Sequence, residues 1–110
     1  MTTHIKLKLS NVVTLCRNYK KFEALFLVNK EDRKLLKSMA EELNGVKFYK
    51  NEGLIEFPVS GSRIYIMRLS DPAAVRGLRL DYIHMDQDIE EEWEAIIAPA
   101  LAFTPPKERA

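Results

Sequence analysis

Two adjacent side chains carry the most chemically suggestive pattern in the chain. In the segment RGLRLDYIHMDQD, residues 76–88, a mostly apolar strand over 81–86 ends in a carboxylate, Asp86, followed at once by the polar Gln87. Ligands of open α/β sheets bind outside the carboxyl ends of the strands. A carboxylate placed there can hold the hydrated magnesium ion that bridges nucleotide phosphates. The next side chain can then orient the attacking water. This is the arrangement of a Walker B strand. The competing reading of the same Asp86 is an acid at the entry to a helix, since strand ends of this composition are common.

The elements that must position these residues follow from periodicity. Over residues 4–19, Ile5, Leu9, Val12, Val13, Cys16 and Tyr19 recur at helical spacing and outweigh the strand-like alternation of Ile5, Leu7 and Leu9. Residues 23–28, EALFLV, form an unbroken apolar run of strand length, the pattern of a strand buried on both faces and paired in parallel. Asn29 is placed to cap a helix whose first turn carries Glu31 and Asp32, and whose apolar face is Leu35, Leu36, Met39, Ala40 and Leu43. Asn44-Gly45 stops it.

Short strands are expected at 46–50 and 54–57 around the turn Asn51-Glu52-Gly53, and a longer one at 63–69 after the turn Pro58–Gly61. Asp71-Pro72 ends that strand and opens a short helical turn through Val75. Beyond the 81–86 strand, Asp88 and Glu91 form a capping box for a helix with Ile89, Trp93, Ile96, Ile97 and Leu101 on one face, interrupted at Pro99. Strands buried on both faces and followed by helices predict an α/β fold, with a mostly parallel sheet and flanking helices.

Taken in order, these pieces resemble the large terminase subunit, the ATPase that packages DNA in tailed phages. The run GLIEFPVSGSRIYIMRLSDPAAVRGLRLDYIHMDQD, residues 53–88, is similar to that family's strand, Gly-Ser turn, second strand, Asp-Pro pair, Arg-Gly and Walker B strand. EEEWEAIIAPAL resembles its following helix, EALFLV with its helix the family's second strand and helix, and MTTHIKLKL the start of the helix after its phosphate-binding glycines. The resemblance implies an incomplete P-loop NTPase-like core over residues 1–102, a partial terminase-like ATPase domain, with 103–110 as a flexible tail. It implies Asp86 and Gln87 as catalytic residues, Thr2 and Arg76 as nucleotide-binding residues, and Asp86 with Thr2 as magnesium ligands. The implied cofactors are Mg2+ and ATP. The implied partners are other terminase and portal components and, through the assembled motor, double-stranded DNA.

Departures from the family pattern limit what the resemblance implies. No G-x-x-x-x-G-K-[ST] loop occurs in the sequence, and Met1 stands where its lysine would be. Gln87 occupies the position where the family usually has Glu, and an amide cannot act as a general base. Nothing in these 110 residues is expected to correspond to that family's nuclease domain. The expectation is a chain that does not bind or hydrolyse ATP appreciably by itself. The alternative is a small phage or prophage binding or regulatory protein built on a degenerate ATPase fold.

Composition bounds these readings. The 110 residues suffice for one domain, and 17 basic against 16 acidic residues leave a net charge of +1. No global field draws the chain to nucleic acid or membrane, so any DNA contact must be local. One cysteine, Cys16, cannot form an internal disulfide and reads as a buried hydrophobe. Without a membrane-length apolar run or a secretory leader pattern, the expected location is the host cell cytoplasm. Glu90, Glu91, Glu92 and Glu94 read as a solvated helix face or as a surface for a basic partner. Lys30, Arg33, Lys34 and Lys37 read as a wet face, with DNA contact as the sharper alternative. From the residues alone, Arg76 reads first as a loop arginine paired with Asp71 or Asp81, ahead of a place near the nucleotide. His84 reads as a packed histidine within its strand, and Trp93 as core.

Overall fold

The computed structural model describes residues 2–68 and 80–85 of the chain, with side chains from Ile5 onward and up to His84. The described elements are α1 (Thr2–Asn18), β1 (Glu23–Val28), α2 (Lys30–Ala40), β2 (Lys47–Tyr49), β3 (Leu54–Phe57), β4 (Ser62–Arg68) and β5 (Tyr82–Met85). The five strands form one sheet in the order β2-β3-β4-β1-β5.

β1 lies between β4 and β5 and is parallel to both, with Phe26 opposite Ile66 on one side and His84 on the other. Its burial pattern explains the apolar run. Ala24, Phe26 and Val28 face α1 and α2, while Leu25 and Leu27 alternate to the other side and are also fully buried. The expectation of a doubly buried parallel strand is met.

The expectation of a mostly parallel sheet is corrected. The ladders β2–β3 and β3–β4 are antiparallel, so the sheet is mixed. The reason is local. The β2–β3 and β3–β4 connections are tight turns closed by Gly53 and Gly61, both with positive φ. Connections that short can join only antiparallel neighbours, because a parallel pair needs a crossover.

In α1, the helical reading of residues 4–19 is met. Ile5, Leu9, Val12, Val13 and Cys16 are buried against the sheet, and the exposed residues of the helix include Lys6, Ser10 and Arg17. In α2, Asn29 caps as expected: its Oδ1 accepts the backbone N–H of Asp32 at 2.8 Å. The helix ends earlier than its apolar stripe. Ala40 is its last residue, and the backbone tightens to Glu42 N–H donating to Met39 O and Leu43 N–H to Ala40 O. Leu43 still packs on the core from outside the helix. A stripe at helical spacing marks where side chains go, and a tightened last turn keeps it nearly in phase.

The amino edge of the sheet is locked by a serine pair. Ser62 is fully buried at the start of β4; its Oγ accepts the Phe22 N–H at 3.0 Å and donates to Tyr19 O at 2.9 Å. Ser60 Oγ donates to Cys16 O at 2.7 Å. This network ties the end of α1 to the β3–β4 turn. Ser62→Ala leaves the buried Phe22 N–H without its acceptor, and a loss of about 1–3 kcal/mol is expected. Urea unfolding of the variant checks this, and a change within a few tenths of a kcal/mol would show the network to be dispensable.

Cys16 is buried, as expected, and its thiol is pushed up to about 12, chiefly by burial and then by the Asp81 carboxylate, with Arg17 acting the other way. The fold therefore holds a neutral thiol. The stability it contributes is complete below the unfolded-chain value of 9.0 and is lost as pH rises toward 12. Over that window the unfolded chain binds fewer protons, so unfolding becomes easier by about 1.4 kcal/mol per pH unit from this group. Lysines and tyrosines titrate there too. The expected observation is therefore a flatter alkaline stability profile in Cys16→Ala than in the parent chain.

Candidate functional site

β1, β4 and β5 are parallel and share one carboxyl edge of the sheet. β1 ends there at Val28 and passes directly into the Asn29 cap of α2. α1 reaches the same edge from the other direction. Its last turn is fastened at the amino edge by the Cys16–Ser60 bond. As a helix of 17 residues it extends about 25 Å, and Ile5 near its start is still buried on the sheet. The starts of α1 and α2 thus lie at one edge, where helix dipoles favour negative charge.

β5 runs parallel beside β1, with its last residue Met85 opposite Leu27. The strand that precedes Asp86 thus exits at this same edge. Asp86 and Gln87 themselves lie outside the described residues, and so does Arg76. Thr2 is the first residue of α1. Of the segments expected to carry these side chains, the structure describes only the end of β5 and the start of α1, which lie at the same edge of the sheet. Among the described residues, no group of three or more His, Cys, Asp or Glu could hold a metal ion.

Two interactions hold β5 in register. Glu23 N–H donates to Asp81 Oδ2 at 3.0 Å, and Asp81 N–H donates to Glu23 O at 2.7 Å. At the other end His84 is buried, its ring centroid 5.3 Å from that of Phe26. The expectation that His84 packs within its strand is met. Asp81 clasps the start of the strand, a role that no spacing rule singles out because its partner Glu23 is 58 positions away.

The cations of α2 form part of a larger group. The Lys37 ammonium is held below its ordinary value, first by partial burial and then by the nearby charges of Arg33 and Lys50. Lys50 comes from the turn after β2, where it also lies 3.6 Å from Glu41. The Arg33 guanidinium packs beside Gly53, and its Nε is buried with no hydrogen-bond partner among the described residues. Sequence reading found Arg33 and Lys37 on α2 but missed Lys50, because only folding brings the β2–β3 turn beside the helix.

A groove of about 510 Å³ lies between α1 and α2, with Leu9, Val13, Met39 and Leu43 as its apolar lining and Lys6 and Arg17 among its polar residues. Arg17 is already engaged: it donates to Asn44 O at 2.9 Å and lies over the Phe57 ring. No described helix is long and apolar enough to cross a membrane. The chain matches no family model, no curated protein and no solved structure.

Proposed function

We propose that this chain is part of the ATPase core of a viral DNA-packaging motor of the large terminase kind, with a nucleotide site completed only when a phosphate-binding loop is supplied. The observation that carries the reading is the parallel placement of β5 beside β1. β5 ends at the edge where α1 and α2 begin, which supports reading it as a Walker B strand. In this reading Asp86 and the Thr2 hydroxyl hold Mg2+, Gln87 positions water, and Arg76 lies near the phosphates of ATP. DNA and the other terminase and portal components are met through the assembled motor. The host cell cytoplasm is where such a motor works.

The chain alone lacks the glycine loop whose backbone N–H groups cradle phosphates, and it is therefore inactive in this reading. The test is titration with a fluorescent ATP analogue and Mg2+. The isolated chain is expected to show no saturable binding in the micromolar range. A version extended upstream by a strand and a G-x-x-x-x-G loop, with Met1→Lys, is expected to gain micromolar, magnesium-dependent binding. Asp86→Ala in that version should remove the magnesium dependence. Micromolar binding by the unextended chain, abolished by Asp86→Ala, overturns the claim of an incomplete site. An extended chain that folds but gains no binding overturns the kinship and leaves the binding or regulatory protein as the better account.

A further inference from the structure

Cations gather on one flank of α2 and on the neighbouring β2–β3 turn. Lys30, Arg33, Lys34 and Lys37 stand three or four positions apart on the helix and so form a row of neighbours. Folding adds Lys50 from the turn. Gly53 closes that turn, its N–H donating to Lys50 O at 3.3 Å, and the Arg33 guanidinium lies against Gly53, with Nη2 3.5 Å from where a Cβ would sit. Lys50 Nζ is 3.6 Å from Glu41, four positions beyond Lys37. Lys37 is thus near both other cations, and their charges, after partial burial, hold its ammonium below the ordinary value. The acids nearby do not neutralise the group. Glu41 is engaged with Lys50. Glu31 and Asp32 are two positions and one position from Arg33, so they do not face it. Glu52 of the turn is exposed and makes no ion pair among the described residues, and neither do Arg33 and Lys37. The buried Arg33 Nε has no hydrogen-bond partner there either. A helix dipole accounts for Lys37 in the last turn of α2, but it opposes Lys30 and Arg33 near the helix start and has no bearing on Lys50.

We infer that Arg33, Lys37 and Lys50 form a binding site for a phosphoryl anion, which Lys30 and Lys34 extend for a chain of phosphates. Phosphate oxygens accept from several donors at once, and a guanidinium fork beside two ammonium groups is a donor set that suits them. An anion there offsets the crowding of like charge that the fold creates. Arg33 and Lys37 are half-buried, so their attraction for it is screened less than that of fully exposed lysines. Gly53 belongs to the site because its missing side chain lets the guanidinium lie against the turn. With a net charge of +1, affinity comes from this patch and not from a general field. The phosphate comes either from a free small ligand or from a nucleic-acid backbone. The inference involves none of Thr2, Arg76, Asp86 and Gln87, needs no Mg2+, and stands apart from the proposed ATPase reading.

The test is an amide-resolved magnetic resonance titration of the isotope-labelled chain without Mg2+. The probes are inorganic phosphate and a short DNA duplex, each set against sodium chloride at equal ionic strength. Amides of residues 30–37 and 50–53 are expected to shift saturably with phosphate or duplex and not with chloride. Lys37→Gln should weaken binding about tenfold, and Lys50→Gln, whose side chain is more exposed, about threefold. Lys20→Gln, at an exposed position beyond the end of α1, should leave it unchanged. Urea unfolding checks that the variants keep the fold. Tighter saturation by the duplex, weakening as salt rises, supports the site and assigns the phosphate to a nucleic-acid backbone. Saturation by inorganic phosphate as tight as by duplex supports it too and assigns a small ligand. Shifts that chloride reproduces at equal ionic strength overturn the inference and leave a solvated helix face. Saturable shifts that survive both Lys37→Gln and Lys50→Gln place the anion elsewhere and overturn it as well.

Discussion

Phe26→Ala is expected to lower the stability of the domain by about 3–5 kcal/mol, the range for removing a fully buried phenylalanine from a well-packed core. The ring is fully buried in the middle of β1 and belongs to the core shared by both helices. It also meets Tyr82 at 6.3 Å and His84 at 5.3 Å between centroids, in tilted arrangements, and such aromatic contacts add about 0.5–1.5 kcal/mol each. Small domains have about 5–15 kcal/mol in total, so this one change approaches the whole margin. The loss should be uneven. β5 contributes four residues to the sheet, and two of them, Tyr82 and His84, pack on this ring. Native-state hydrogen exchange should therefore show β5 amides losing protection before those of β4. Urea unfolding gives the overall loss, and a value under about 1 kcal/mol would show that the neighbours close over the gap and that β1 is not the hub of the fold.

The dependence of β5 on β1 also shows what sequence could and could not reveal. β1 and α2 were legible because their signals are local: an unbroken apolar run, then Asn29 with acids in the first turn. β5 was legible as a strand from its apolar run ahead of Asp86. The antiparallel β2–β3 and β3–β4 ladders depart from the expectation of a mostly parallel sheet. Gly53 and Gly61 mark tight reversals, and tight reversals mean antiparallel neighbours, whereas the apolar run of β1 reports only on the parallel half of the sheet. The serine network, the Asp81 clasp and the grouping of Lys50 with Arg33 and Lys37 were not legible at all. Each joins residues far apart in the chain, and none changes the local periodicity. The side chains proposed for chemistry remain sequence assignments, because Asp86, Gln87 and Arg76 lie outside the described residues and Thr2 is described only as the start of α1.

Gly53→Ala is the second large effect, expected at about 2–4 kcal/mol, and a matched control separates its two causes. Gly53 ends the β2–β3 turn with φ +66, and Gly45 after α2 has nearly the same value, +73. An alanine at either position must adopt a left-handed backbone, a penalty of about 1–2 kcal/mol. At Gly45 an added Cβ meets nothing within 4 Å, so only that penalty applies. At Gly53 the Cβ would lie 2.5 Å from the backbone oxygen of Ile66, and 3.5 Å from the Arg33 guanidinium. The arginine can swing away, but the Ile66 carbonyl belongs to β4 and cannot. The glycine is also bound to the same residue from the other direction, since Ile66 N–H donates to Gly53 O at 2.7 Å. Relief of the clash must therefore pull β3 away from β4 and weaken that bond. Urea unfolding of the two variants should place Gly53→Ala well below Gly45→Ala, with the difference reporting the backbone contact alone. Equal losses would mean that β3 shifts freely against β4, and that the antiparallel half of the sheet is softer than its hydrogen bonds imply.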